Sequence, residues 1–160
     1  MAQKYSRVNC LISPGKPPAG LMTPTKSGKE SSLVGKIFLA GCGGFIGSVL
    51  RYSVSGFVQD ASRSIHFPYG TLAVNLIGCF AIGFLSQLAE SRGFFTAETR
   101  TLVFVGVLGG FTTFSAFGNE TMNLWRGGES GLAVVNIAAH LVLCLGAVWI
   151  SRALAYQIWR

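Results

Sequence analysis

Residues 108–120 read LGGFTTFSAFGNE, and they lie inside a stretch, 101–119, that carries no charged side chain. Such a run suits a bilayer-crossing helix, because a hydrocarbon core of about 30 Å needs roughly 20 apolar residues. Yet Gly109-Gly110 followed by Thr112-Thr113 is poor helix. Glycine gives up backbone entropy there, and β-branched threonine gives up side-chain freedom. The whole segment 99–125 would also measure about 40 Å if it were unbroken at ~1.5 Å per residue. The sequence therefore predicts a third span interrupted near its middle. Broken backbone survives at membrane depth only where protein buries it or it lines a cavity.

The rest of the chain agrees with a membrane setting. Half of the 160 residues are hydrophobic and 12% are charged, about half the charge usual in soluble domains. Residues 70–89 and 130–151 also lack any charge, and a further segment, Leu33 to Val58, spans if Lys36 lies at its end and Arg51 is accommodated. The expected fold class is an all-α membrane protein with four transmembrane helices, at about 34–58, 70–90, 99–125 and 130–156, and a break in the third. These make one four-helix transmembrane domain, 34–160, behind a basic Pro/Ser/Lys-rich tail, 1–33, too poor in apolar residues to order itself. Thr96 is a candidate N-cap for the third helix. Tyr52, Tyr69, Trp125, Tyr156 and Trp159 fall near span ends, as a headgroup belt requires.

Charge and cysteine usage narrow the function. The net charge is +7, but +4 of it belongs to the tail, so nucleic-acid binding is not indicated. On the side of the N-terminus the spans end in Lys36, Arg92, Arg100, Arg152 and Arg160, against Arg63 and Arg126 opposite, a bias toward N-inside. Cys10, Cys42, Cys79 and Cys144 have no metal-type spacing and read as inert thiols. No span holds a mid-depth Asp or Glu of the kind proton-coupled transport uses. Nucleophile–base patterns are missing too, so an enzyme is not expected.

Several polar and small residues stand out within the spans. Gly43 and Gly47 form a GxxxG pair in the first helix, and Gly106 with Gly110 repeats it in the third. Small residues let backbones approach where lipid gives no hydrophobic drive. Asn75, an amide one turn or so inside the second helix, reads either as an interhelical hydrogen bond or as a ligand donor facing a watery vestibule. Asn136, His140 and Cys144 lie at i, i+4 and i+8, one stripe of the fourth helix. Just after the break, Phe114 and Phe117 share a face. Aromatic edges are electropositive, so this pair can meet a small anion without trapping it. Carbonyls freed by the break make a ready cation site.

Taken together, GGFIGSVLRYSVSG, FPYGTLAVNLIGCFAIGF and GVLGGFTTFSAFGNE resemble the Fluc/CrcB family of fluoride channels, over about 34–156. The resemblance implies an antiparallel, dual-topology homodimer with pores along the subunit interface, in a bacterial plasma (inner) membrane. It implies that Asn75, Phe114, Ser115 and Phe117 line the fluoride pore. It further implies that main-chain carbonyls of Gly109 and Thr112 hold a structural sodium ion. Ala116 stands where the family often has threonine, and Asn136, His140 and Cys144 stand where tyrosine or serine would be expected. The expected partners are fluoride and the lipid bilayer. The alternative is a small four-helix secondary transporter of the small multidrug type, which should carry a carboxylate deep in its first span, where this chain has Arg51.

Overall fold

The computed structural model describes residues 26–92 and 95–158 of the chain. Helix α1 runs Lys26–Ser62 and α2 runs Tyr69–Arg92. The third span is segmented into α3 (Ala97–Arg100), a π-helical stretch Thr101–Leu108, α4 (Gly109–Phe111) and α5 (Phe114–Arg126). Helix α6 spans Ser130–Ile158. Four stretches are long and apolar enough to cross a membrane, Ser32–Ser62, Tyr69–Ser91, Ala97–Arg126 and Ser130–Ile158. The four expected spans and the interruption of the third are thus present.

One boundary differs. Residues 26–33 were expected in the tail, and they form the first turns of α1. No proline lies between Pro24 and Pro68, so nothing stops a helix nucleated in the span from propagating back toward Lys26. Residues 1–25 of the expected tail lie outside the described residues, as does Trp159 of the expected aromatic belt. Tyr52, Tyr69, Trp125 and Tyr156 are exposed, as belt residues should be.

Helix ends follow local chemistry. Arg63 takes a left-handed backbone (φ 51°) just past α1, and Ser62 Oγ donates to the Gln59 carbonyl at 2.8 Å. Gln59 then organises the loop beyond. Its Nε2 donates to the carbonyls of Ser64 and Phe67 at 2.6 and 3.2 Å, and its Oε1 accepts from Gly70 N–H at 3.0 Å. One side chain at the end of α1 therefore satisfies an orphan donor of α2's first turn. Thr96 caps α3 as expected, accepting from Thr99 N–H at 3.2 Å.

Packing rests on close backbone approach rather than on large apolar side chains. Phe38, Phe45, Phe57 and Trp149 all point outward, whereas the buried apolar set joins the small residues Val74, Ala89, Ala133, Ala147 and Ala155 to a few larger ones, Phe67, Leu108, Phe111 and Leu124. Helix α2 packs chiefly on α6, and α1 on the π-helical stretch and α4. The two GxxxG pairs meet each other. A Cβ built on Gly43 would sit 2.5 Å from the Leu102 carbonyl oxygen and 2.9 Å from Gly106 Cα; one on Gly110 would sit 2.6 Å from the Gly44 carbonyl oxygen. Gly47 has the same relation to the Val107 carbonyl and to Phe111 N, 2.8 Å away. These neighbours are backbone, so they cannot swing aside. Across α2 and α6, Gly83 makes room in the same way for buried Ser151 and the Val148 carbonyl.

This seam gives a direct test. Gly106→Leu should lower stability by about 2 kcal/mol or more, the scale of overpacking against an unyielding wall. Gly41→Ala, with nothing within 4 Å of the added carbon, should stay within about 0.5 kcal/mol. Thermal unfolding in detergent, followed by size-exclusion fluorescence, separates the two; equal midpoints would show that α1 and the third span do not meet along these glycines.

Candidate functional site

The site is built where the third span stops being a helix. Thr112 (φ −82°, ψ 157°) and Thr113 (φ −150°, ψ 112°) are extended, between α4 and α5. Thr112 closes the incoming helix: its N–H and its Oγ1 both donate to the Leu108 carbonyl, each at 3.0 Å. Thr113 opens the outgoing one as its N-cap, with Oγ1 accepting from Ala116 N–H at 3.1 Å. Between these caps stands the Thr113 backbone, at membrane depth, with its N–H outside any helical ladder.

Asn75 supplies what the ladder would have. Its Oδ1 accepts from Thr113 N–H at 2.8 Å, and its Nδ2 donates to the Thr113 carbonyl at 3.1 Å. The side-chain amide thus mimics a strand partner for a single residue. Of the two readings left open for Asn75, the interhelical hydrogen bond is present, and the residue also lines the cavity described below.

The diverted donors have a consequence for the carbonyls upstream. In a continuous α-helix, Thr113 N–H would bond the Gly109 carbonyl and Ala116 N–H the Thr112 carbonyl. Here the first goes to Asn75 and the second to Thr113 Oγ1. Gly109 and Thr112, the two expected cation ligands, are therefore among the four consecutive positions, 109 to 112, whose carbonyls stand where the helical donors are diverted by the break.

A cavity of about 390 Å³ opens beside the break. Its wall includes Asn75, Gly109, Thr112, Phe114, Phe117 and His140. Five of the six expected site residues are thereby brought together. Ser115 is the exception: it is exposed, away from this wall, with its Oγ 3.2 Å from Thr113 Oγ1. Phe114 is 83% exposed and Phe117 half-buried, and their ring centroids lie 5.4 Å apart. Gly78, also in the wall, leaves the space that the Thr112 methyl occupies.

The stripe on α6 divides. His140 and Cys144 line the cavity, while Asn136 is fully buried behind them. Asn136 Nδ2 donates to Thr121 Oγ1 at 2.9 Å, and Thr121 Oγ1 donates to the Phe117 carbonyl at 2.7 Å. Farther along α5, Thr71 Oγ1 donates to Glu120 Oε1 at 2.6 Å, and both residues border a separate cavity of about 490 Å³. Sequence reasoning marked Thr113 only as a poor helix former and did not single out Thr121, Thr71 or Gln59. For Thr113 a signal existed, a threonine immediately before a helical run, which is an N-cap pattern. The other three pair with positions that only the fold brings near.

Comparison with known proteins places this geometry. Residues 38–152 match the family described as "CrcB-like protein, Camphor Resistance (CrcB)". The chain belongs to the CrcB family. Among its relatives, the "Fluoride-specific ion channel FluC" of Elusimicrobium minutum is 46% identical over 118 residues, covering 74% of this chain and 91% of that protein. The protein of the same name from Opitutus terrae is 48% identical over 115 residues, 71% of this chain and 86% of the relative. "Fluoride-specific ion channel FluC 1" of Methanosarcina acetivorans is 42% identical over 122 residues, 76% and 92% respectively. The matched CrcB region takes in the first span from residue 38, the second and third spans whole and the fourth up to residue 152, with the break and its cavity.

The amide clip carries a stability prediction. Asn75→Leu keeps the side-chain size but leaves the Thr113 N–H unpaired, worth about 1–3 kcal/mol when buried, and removes one of the two bonds to the Thr113 carbonyl. Asn75→Asp keeps only the acceptor, and its loss should exceed zero but fall short of the leucine variant's. Melting temperatures of the purified proteins should rank wild type, aspartate, leucine; a leucine variant as stable as wild type would remove Asn75 from this role.

Proposed function

We propose that this CrcB-family chain is a fluoride-selective channel that lets the cytoplasmic anion leave passively and so lowers its toxicity. The observation that carries the reading is the adjacency of Phe114 and Phe117 at one cavity beside a broken span, in a chain 46–48% identical to proteins named as fluoride channels. The phenylalanine edges offer partial positive charge without a fixed cation that would hold the ion. Asn75 carries a second amide N–H beyond the one spent on Thr113, available to a fluoride ion in the cavity. The hydroxyl of Ser115 continues the polar surface from Thr113.

Conduction needs no fuel. Hydrogen fluoride crosses a bilayer uncharged and dissociates in a neutral interior, which traps the anion. A negative-inside plasma membrane then drives it outward with about 2.3 kcal/mol per charge per 100 mV. The protein acts by positioning and hydrogen bonding, as a channel rather than an enzyme.

A structural sodium ion fits the break. The Gly109 and Thr112 carbonyls, relieved of their helical donors, are hard oxygen ligands of the kind such a cation takes. Two carbonyls are too few for a full shell, so a second, antiparallel copy of the chain would complete it with the same pair. Bound there, sodium would bring fixed positive charge near an anion path.

Fluoride efflux from liposomes holding only this protein, read with a fluoride electrode and with chloride as control, tests the proposal. The expected result is rapid fluoride loss with chloride retained. Phe117→Ala should slow fluoride about tenfold, equal to ~1.4 kcal/mol in barrier height and on the scale of one aromatic contact. Equal efflux of both halides, or of neither, would sink the reading.

A further inference from the structure

His140 is buried near the middle of α6, yet one of its ring nitrogens has no partner. Nδ1 lies 3.0 Å from the Asn136 carbonyl oxygen. A carbonyl only accepts, so Nδ1 carries the hydrogen and Nε2 is left as a bare lone pair. That lone pair is buried, and no hydrogen-bond partner reaches it. An unsatisfied buried acceptor in a folded protein calls for an explanation. The ring of Phe117 lies across the imidazole, centroids 4.3 Å apart and planes tilted by 39°. Both residues border the cavity beside the break.

The surroundings are free of fixed charge. Among the described residues, no Lys, Arg, Asp or Glu lines this cavity. The other titratable groups in its wall are the Cys79 thiol of α2 and the Cys144 thiol of α6. From α5 the nearest is Glu120, one turn past Phe117, with its Oε1 bonded to Thr71. Glu90 of α2 is paired with Arg152 toward the far end of α6. The π-helical stretch and α4 contribute only Phe104, Leu108 and Gly109 to the wall. His140 is therefore the one group bordering this cavity that can become a cation.

We propose that His140 is a proton-operated counter-charge for fluoride in this channel. In its neutral form the imidazole sets the Nε2 lone pair near the path of an anion that is itself only an acceptor, which is unfavourable. A proton taken from water at Nε2 forms one N–H bond and breaks none within the protein. It places a positive charge against the Phe117 ring, beside the cavity that fluoride would pass. When the ion leaves, the proton returns to water. Fluoride enters cells as its conjugate acid, so acidic conditions load the cell fastest, and those are the conditions that would switch this residue on. The proposal rests on the pore reading given above, through Phe117 and the shared cavity.

Planar-bilayer recording of the purified chain in symmetric fluoride tests it, since neutral hydrogen fluoride carries no current. Wild-type current should rise on the order of tenfold from about pH 8 to about pH 5.5, the range in which histidine titrates and the scale of focusing by one charge in a low-dielectric cleft. His140→Gln, which keeps a hydrogen-bonding side chain that cannot titrate, should lose that slope. A flat wild-type profile overturns the proposal, and so does a slope that persists in His140→Gln, which would belong to Glu120. Absence of fluoride current at every pH sinks the pore reading, and this proposal with it. A second measurement does not depend on the glutamine variant folding. In His66→Asn protein, which leaves His140 as the sole histidine, nitrogen NMR should show its titration midpoint moving up on addition of fluoride but not chloride; an unmoved midpoint counts against the site.

Discussion

A single side-chain amide makes this fold possible. The third span contains one residue, Thr113, whose backbone N–H has no acceptor in either flanking helix, and hydrocarbon offers it no water. Asn75 meets that donor and also bonds the carbonyl of the same residue. An apolar residue would leave the buried N–H unpaired. Serine or threonine lacks the reach and the planar donor–acceptor pair. Once the peptide is satisfied from α2, α4 and α5 are free to part, and every other feature of the site follows from their parting. The freed carbonyls, the cavity wall and the exposed Phe114 ring are consequences of one hydrogen-bonded pair.

That arrangement also needs the incoming half of the span to be held from the other side. The π-helical stretch and α4 are pressed against α1 through facing glycines, so the backbone can be fixed in place without bulky side chains. Lipid tails are as apolar as leucine, and burial of leucine would provide little net drive here. Close approach instead gains dispersion contacts along the whole seam. The outward phenylalanines of α1 are then what they must be in a bilayer, a solvent-facing surface for a different solvent.

Much of this was legible in the sequence, and the limit has a physical cause. Uncharged runs located three spans, and a long apolar stretch carrying Lys36 and Arg51 gave the first, because hydrocarbon thickness fixes the length of a crossing helix. Glycine and threonine located the break, because those residues are poor helix formers at a depth where helix is otherwise obligatory. The GxxxG pairs were visible as pairs, but that they face each other is a tertiary fact. Asn75 was ambiguous for the same reason: its partner lies 38 positions away, and nothing local says whether an amide inside a helix meets backbone or ion. The start of α1 was placed too late, since composition marks where a helix cannot gain burial, not how far one already formed will run. Gln59 and the Thr71–Glu120 pair carry no local pattern at all.

The Phe114–Phe117 pair beside the cavity poses a last question, how the Phe117 ring is kept from drifting. Phe117 is held at its backbone, not only at its ring. Its carbonyl accepts from Thr121, which in turn accepts from Asn136 of α6, whose own carbonyl accepts from His140. This ladder joins α5 to α6 through residues buried to 9% exposure or less. Bonds in a low-dielectric interior are stronger than in water, and their geometry is correspondingly strict. The same histidine that ends the ladder lies against the Phe117 ring. Ring and backbone of Phe117 are therefore fixed by one helix through one chain of contacts. A change in the charge of His140 would act on both at once, without any movement of the spans.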